Sequence, residues 1–157
     1  MKSKVEEIQK RFISRGLTLA VAESCTGGQL SAALTSISGS SKYFLGSVIS
    51  YNASVKVKIL KVPQSSIQGA GEVSELVAQL MATGVRTELG SDWSVAITGV
   101  AGPTGGTVDK PVGMVCFGVS GPDVLFTETK NFGSRSRDKI QQASIEHALD
   151  LLIQYTV

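Results

Sequence analysis

The sequence is poor in the residues from which several common sites are built. Cys25 and Cys116 are its only cysteines. Two are too few for a disulfide framework, and neither has a Cys or His at ligand spacing, so no zinc site is expected and a reducing cytoplasm fits. The single histidine, His147, falls inside the last apolar-patterned segment, on a turn with Ser144 and Leu151. A Ser-His-Asp triad is therefore not expected. Net charge is only +2, and the lysines and arginines are dispersed rather than gathered into a stripe, so no nucleic-acid partner is expected. No apolar run approaches the roughly 20 residues that span a bilayer, and the opening Met-Lys-Ser-Lys-Val-Glu-Glu has no signal-like core, so neither a membrane partner nor export is expected. Repeats, low-complexity tracts and composition breaks are also missing, which leaves a single domain over 1–157 as the expectation.

What is present can build a core: 42% of residues are hydrophobic and 18% charged. The most informative stretch is Leu17 to Gly28, where an apolar strand stops at Glu23-Ser24-Cys25-Thr26-Gly27-Gly28 and helical spacing resumes over 27–38. Thr26 with Gln29 three residues on predicts a capping box, and the unpaired amides of such a helix start favour negative charge. A hydroxyl held there, that of Ser24, could attack an electrophile while amides hold an oxyanion. The same small polar residues suit any strand-to-helix turn, so local chemistry leaves both readings open.

Along the rest of the chain, residues 4–15 place Val5, Ile8, Phe12 and Ile13 on one helical face, and Gly16 stops that helix. Ser38-Gly39-Ser40-Ser41 reads as a flexible link into a second strand, Tyr43–Tyr51. Asn52 is a good N-cap for a short helix, Ala53–Leu60, which must end before Pro63 and which carries Lys56 and Lys58 on different faces. Ser74 caps a longer helix to about Leu89, with Leu76, Val77, Leu80, Met81 and Val85 inward and Gly84 weakening it slightly. Trp93–Thr98 is a third strand that runs into the glycine-rich segment 99–111. Val112–Ser120 and Val124–Phe132 form an antiparallel pair across a tight turn, and a final helix runs from about Arg137 to Gln154. The order predicts an α/β fold with helices on both faces of a mixed, mostly parallel five-stranded sheet. The site is expected at the carboxyl ends of the parallel strands, where Ser24, Tyr51-Asn52 and the 99–110 loop emerge.

Candidate bases near those ends are Lys56, Lys58, Glu23 and Asp109. A lysine becomes a useful base only if burial or nearby positive charge lowers its pKa. Lys56, near the start of its helix, leads, although spacing alone also allows both lysines to be solvated. Cys25 is a rival nucleophile, but with no His or helix-held cation known beside it, it reads rather as a small packed side chain. Gly102-Pro103-Thr104-Gly105-Gly106-Thr107 matches neither a Walker A motif nor the dinucleotide fingerprint. Its glycines nonetheless let backbone amides converge on an anion, with Lys110 and Arg137 to add charge, and the same residues also read as a flexible approach to a hairpin.

The motifs Ala22-Glu23-Ser24-Cys25-Thr26-Gly27-Gly28, Gly39-Ser40-Ser41, Tyr51-Asn52 followed by Lys56, Ile97 to Thr107, and Lys110-Pro111-Val112-Gly113 occur in that order. As a set they resemble the CinA C-terminal domain over about residues 5–154. The resemblance implies a three-layer α/β/α sandwich and the activity of a nicotinamide-nucleotide amidase (the PncC type), which converts nicotinamide mononucleotide and water to nicotinate mononucleotide and ammonia in pyridine nucleotide recycling. It implies no metal and no other cofactor, and a homodimer. It makes Ser24 the nucleophile and Lys56 its general base. Oxyanion and substrate contacts fall to Thr26, Gly27 and Gly28 after the nucleophile and to Thr98 and Gly99 at the third strand's end. Tyr51 and Asn52 fall on the pyridine side, and Gly102, Thr104, Gly105, Gly106 and Thr107 with Arg137 on the ribose phosphate. Two departures stand out. Family members often show a second arginine where this chain has Gln141, so phosphate is expected to be held more weakly or by other groups. The N-terminal molybdopterin-binding-like domain of full-length CinA proteins is not in this sequence, so its associated pyrophosphatase activity is not expected. The competing class is a binding module of the same fold that holds a pyridine nucleotide without hydrolysing it, against which the presence of both Ser24 and Lys56 argues.

Overall fold

A computed structural model describes residues 1–156. Among them run α1 (Lys2–Arg15), β1 (Leu19–Glu23), α2 (Gln29–Thr35), β2 (Phe44–Ile49), α3 (Ala53–Lys58), α4 (Gln64–Ala70), α5 (Glu75–Leu89), β3 (Trp93–Gly99), β4 (Met114–Gly121), β5 (Val124–Asn131) and α6 (Arg137–Tyr155). The strands form one sheet in the order β2-β1-β3-β4-β5. β1 pairs in parallel with both β2 and β3, whereas β3 with β4 and β4 with β5 are antiparallel. The sheet is mixed, as expected, but not mostly parallel, since half of its pairings are antiparallel. The reason lies in the connections: helices carry the chain between β1, β2 and β3, while no helix interrupts the segment from β3 to β4 or the turn from β4 to β5, and a parallel return needs a crossover.

Alternation along β1 divides the core in two. Leu19 and Val21 point into a cluster with Val5, Ile8 and Phe12 of α1, Leu30 and Leu34 of α2, and Ile140, Leu149 and Leu152 of α6. Ala20 and Ala22 point the other way, to Val77, Met81, Ala82 and Val85 of α5 and to Leu60 and Val62. Helices thus cover both faces. The alanine side of the sheet is thin, which lets α5 come close. A Cβ on Gly118 would lie 2.4 Å from the Ala78 carbonyl oxygen, and one on Gly84 would lie 2.1 Å from that of Leu60. Gly84, which helix propensity marks as a weakness, is where α5 meets the α3–α4 backbone.

Several local expectations shift. Leu76 is 44% exposed and Ile13 38% exposed, so neither belongs to the core face of its helix; Ala78 and Ala82 fill the α5 face instead. The link at 39–42 contains a single 3-10 turn, Ser40–Lys42. α4 has no counterpart in the expected elements, because its two serines and a glycine give it weak helical propensity, and Pro63, the expected stop, stands at its N-cap. Among the described residues no helix is long and apolar enough to cross a membrane.

Gly84→Ala is expected to destabilise the protein by about 2 kcal/mol, because overpacking against a fixed carbonyl outweighs the gain of roughly 1 kcal/mol in helix propensity. Urea unfolding reads this directly. A variant as stable as the parent would show that the α5 contact with Leu60 is not tight.

Candidate active site

The carboxyl ends of β2, β1 and β3 are tied to one another just where their side chains change from apolar to polar. The Ser24 amide donates to the Ile97 carbonyl (3.0 Å) and the Ser50 amide to the Glu23 carbonyl (2.7 Å). Ser24, one residue past β1, is therefore held by a strand on each side. Its side chain faces a cavity of about 250 Å³ that Tyr51, Glu72, Thr98, Gly102 and Arg137 also line.

The turn after Ser24 is built by Glu23. Its fully buried carboxylate accepts from the amides of Gly28 (3.1 Å), Leu30 (3.1 Å) and Ser31 (2.8 Å) and from the hydroxyls of Thr26 (2.6 Å) and Ser31 (2.6 Å). The expected Thr26–Gln29 capping box is thereby corrected. α2 starts at Gln29 behind Gly28, with no capping bond from a side chain at the cap position, and the negative charge that the helix start favours is supplied from within the chain. Glu23 is consequently a structural carboxylate and not a free base. Gly27 donates its amide to the Ser24 carbonyl (3.1 Å), so the Gly27 and Gly28 amides are both committed.

Lys56 reaches this turn from α3. Asn52 caps that helix, its Oδ1 accepting from the Ser54 amide (2.9 Å) and hydroxyl (2.8 Å), and this start sets Lys56 inward and leaves Lys58 exposed. Lys56 has no exposed surface. Its Nζ lies 2.8 Å from Ser24 Oγ, 2.6 Å from the Ser50 carbonyl oxygen and 3.3 Å from Glu72 Oε1. Burial holds the Lys56 pKa below the ordinary lysine value, and Glu72 partly offsets that pull. A buried amine whose pKa is lowered, touching a hydroxyl, is the arrangement in which a lysine can take a serine proton.

The remaining candidates divide. Arg137, at the start of α6, donates to the Gly102 carbonyl (2.9 Å) and to the Tyr51 hydroxyl (2.8 Å), closing one wall of the cavity. Gly99, Thr104 and Gly105 line it as well. Thr104 and Gly105, together with Gly106 and Thr107, border a second cavity of about 520 Å³ on the other side of the loop. Thr98 donates to the Glu72 carbonyl (2.9 Å). Thr26, Gly27, Gly28 and Asn52 do not line the Ser24 cavity; they build the turn and the α3 cap. Gln141 donates to the Cys25 carbonyl (2.9 Å), fastening the residue after Ser24 to α6. His147 sits apart, 2.5 Å from Glu128 and edge-on to Phe117. Cys25 is 5% exposed, and burial pushes its thiol up to about 12, which removes it as a rival nucleophile near neutral pH. Sequence reasoning missed Ser50 and Glu72. Ser50 lay inside an expected strand, and Glu72 in a loop whose only legible signal was the Ser74 cap that follows.

Comparison with known proteins agrees with this fold. The family model of the CinA C-terminal domain matches residues 1–156. A CinA-like protein of Synechococcus sp. (strain RCC307) is 54% identical over 146 residues, which make up 92% of this chain but 35% of that protein. One from Trichormus variabilis is 53% identical over 88% of this chain and 34% of its own length. The chain thus spans about a third of the length of these relatives. Among solved structures, a CinA superfamily protein from Escherichia coli superposes with a TM-score of 0.93 at 33% identity, covering 98% of this chain and 88% of that one. The competence/damage inducible protein CihA from Agrobacterium tumefaciens gives 0.90 at 34% identity, over 96% and 94%.

Two outcomes test the turn. Glu23→Ala leaves buried amides and hydroxyls without their acceptor and is expected to cost roughly 3–5 kcal/mol of stability, measured by urea unfolding; a loss below 1 kcal/mol would show that α2 starts without it. Cys25 in the folded protein is expected to alkylate at pH 8 roughly a thousandfold more slowly than an ordinary thiol, in proportion to its thiolate fraction. Labelling at the rate of a free cysteine would place the thiol in a different setting.

Proposed function

The chain belongs to the CinA C-terminal domain family, and on that premise we propose that it is a nicotinamide-nucleotide amidase acting through Ser24 and Lys56. The observation that carries the reading is the 2.8 Å contact between the buried Lys56 Nζ and Ser24 Oγ at the cavity wall. Neutral Lys56 takes the Ser24 proton, Ser24 Oγ attacks the carboxamide carbon of nicotinamide mononucleotide, and the proton passes to the departing ammonia. Water, deprotonated by the same amine, then cleaves the nicotinoyl ester to nicotinate mononucleotide and restores Ser24.

The oxyanion needs donors that are not already committed, which excludes the amides of Gly27, Gly28 and Val100, the last donating to the Met114 carbonyl (2.9 Å), and turns attention to the Ala101–Gly102 side of the cavity. Each such donor is worth about 3–4 kcal/mol in comparable sites. Tyr51, which lines the cavity, is assigned the pyridine ring. Arg137 and the Gly102–Thr107 segment are assigned the ribose phosphate, with Gln141 removed from that task by its bond to Cys25.

Ammonia release from nicotinamide mononucleotide tests the reading. Ser24→Ala is expected to abolish turnover while still binding nucleotide, and Lys56→Ala to lower kcat by roughly 10²–10⁴-fold. Because only neutral Lys56 accepts the proton, kcat/KM should rise with pH along a limb centred below the ordinary lysine value. Nucleotide binding without turnover in the wild type would favour a binding module instead.

A further inference from the structure

Among the described residues that line the Ser24 cavity, Glu72 is the one acid. We propose that Glu72 is a positioning residue for Lys56: its carboxylate aims the amine's lone pair at Ser24 before proton transfer and holds the ammonium that the transfer creates. This rests on the reading of Ser24 and Lys56 given above.

The geometry of Lys56 Nζ carries the inference. A neutral amine has two N–H donors and one lone pair. Ser50 O at 2.6 Å and Glu72 Oε1 at 3.3 Å are acceptors only, so they take the two hydrogens and leave the lone pair for the Ser24 hydroxyl at 2.8 Å. When the Ser24 proton moves to Nζ, the new ammonium already stands between two acceptors and needs no rearrangement. Without Glu72, one N–H loses its fixed partner and the lone pair loses its direction.

Glu72 is held in place on both sides although it is 45% exposed. Thr98 Oγ1 donates to the Glu72 carbonyl at 2.9 Å, Lys110 Nζ donates to the carbonyl of Ala70, and Ser74 Oγ donates to that of Gly71 at 2.9 Å. The groups around the pair are few. Ser24 and Cys25 face Lys56 from the turn after β1, Ser50 faces it from the end of β2, and Glu72 from the α4–α5 loop. Tyr51 and Arg137 line the same cavity, bonded to each other, with Arg137 also on Gly102 O, and Lys110 lies beneath the loop. Lys56 is the cation that Glu72 pairs with. Glu72 raises the Lys56 pKa against the lowering effect of burial, so its loss should make Lys56 neutral at lower pH and at the same time a weaker base.

The test uses the full chain and its Glu72→Gln and Glu72→Asp variants, with two readouts. One is the titration of Lys56 followed by NMR of ¹³Cε-lysine protein, assigned with Lys56→Ala. The other is the pH profile of kcat/KM on nicotinamide mononucleotide. Glu72→Gln should lower the titration midpoint and the acid limb together by about one pH unit, the low end for a half-exposed partner. The alkaline plateau should fall roughly threefold from the weaker base, and Glu72→Asp should recover part of each change. An unmoved midpoint, with activity lost equally at every pH, would overturn the proposal and reduce Glu72 to loop support. If the midpoint shifts in a protein whose wild type hydrolyses no nicotinamide mononucleotide, the amidase reading falls and the action of Glu72 on Lys56 stands.

Discussion

The site depends on an amine kept out of water. Removing a lysine from solvent is unfavourable unless its donors find acceptors and its charge finds a partner or is lost. Lys56 meets both conditions with groups from separate parts of the chain: a carbonyl at the end of β2, a hydroxyl after β1 and a carboxylate before α5. None of these is near another in sequence, and each must be in place for the amine to stay buried. That requirement links the chemistry to the fold, because parallel pairing of β1 with β2 and β3 is what brings the three ends to one edge.

A second buried titratable side chain, Glu23, supports the first from the other side of Ser24. It takes amides at the start of α2 that could have served a substrate anion, and in return it fixes the turn on which Ser24 sits. The two side chains divide the work: Glu23 fixes the backbone and Lys56 meets the hydroxyl. Arg137, bonded to Tyr51 and to the glycine-rich loop, closes a wall of the same cavity.

The far face of the sheet shows the same economy of space. Alanines on β1 and glycines at 84 and 118 allow α5 to lie against strands and loop backbone with no room for a Cβ at either glycine. α5 thereby carries its N-terminal end, and the loop bearing Glu72, to the edge where Lys56 lies.

What the sequence determined by itself follows from local rules. Strand and helix periods, the Asn52 and Ser74 caps, the stop at Gly16 and the hairpin of β4 and β5 are set by residues within a few positions of one another, and so were legible. So was the emergence of Ser24, Tyr51-Asn52 and the 99–110 loop at one edge, since parallel strands place their following loops together, although of these Asn52 and residues 106–110 do not line the Ser24 cavity. Tertiary structure alone decided the rest. The Thr26–Gln29 pattern reads as a cap because local spacing cannot show that the carboxylate of Glu23 takes the Thr26 hydroxyl and the amides of Gly28, Leu30 and Ser31. Spacing alone leaves Lys56, the leading candidate base, open to being solvated like Lys58; burial of one face of α3 separates them. Gly84 read as a defect until the Leu60 backbone met it, and Glu72 carried no signal, because its partner stands 16 positions away in the chain and at 3.3 Å in space. Burial and pairing over such separations are properties of the packed sheet, and they determine which lysine can be a base.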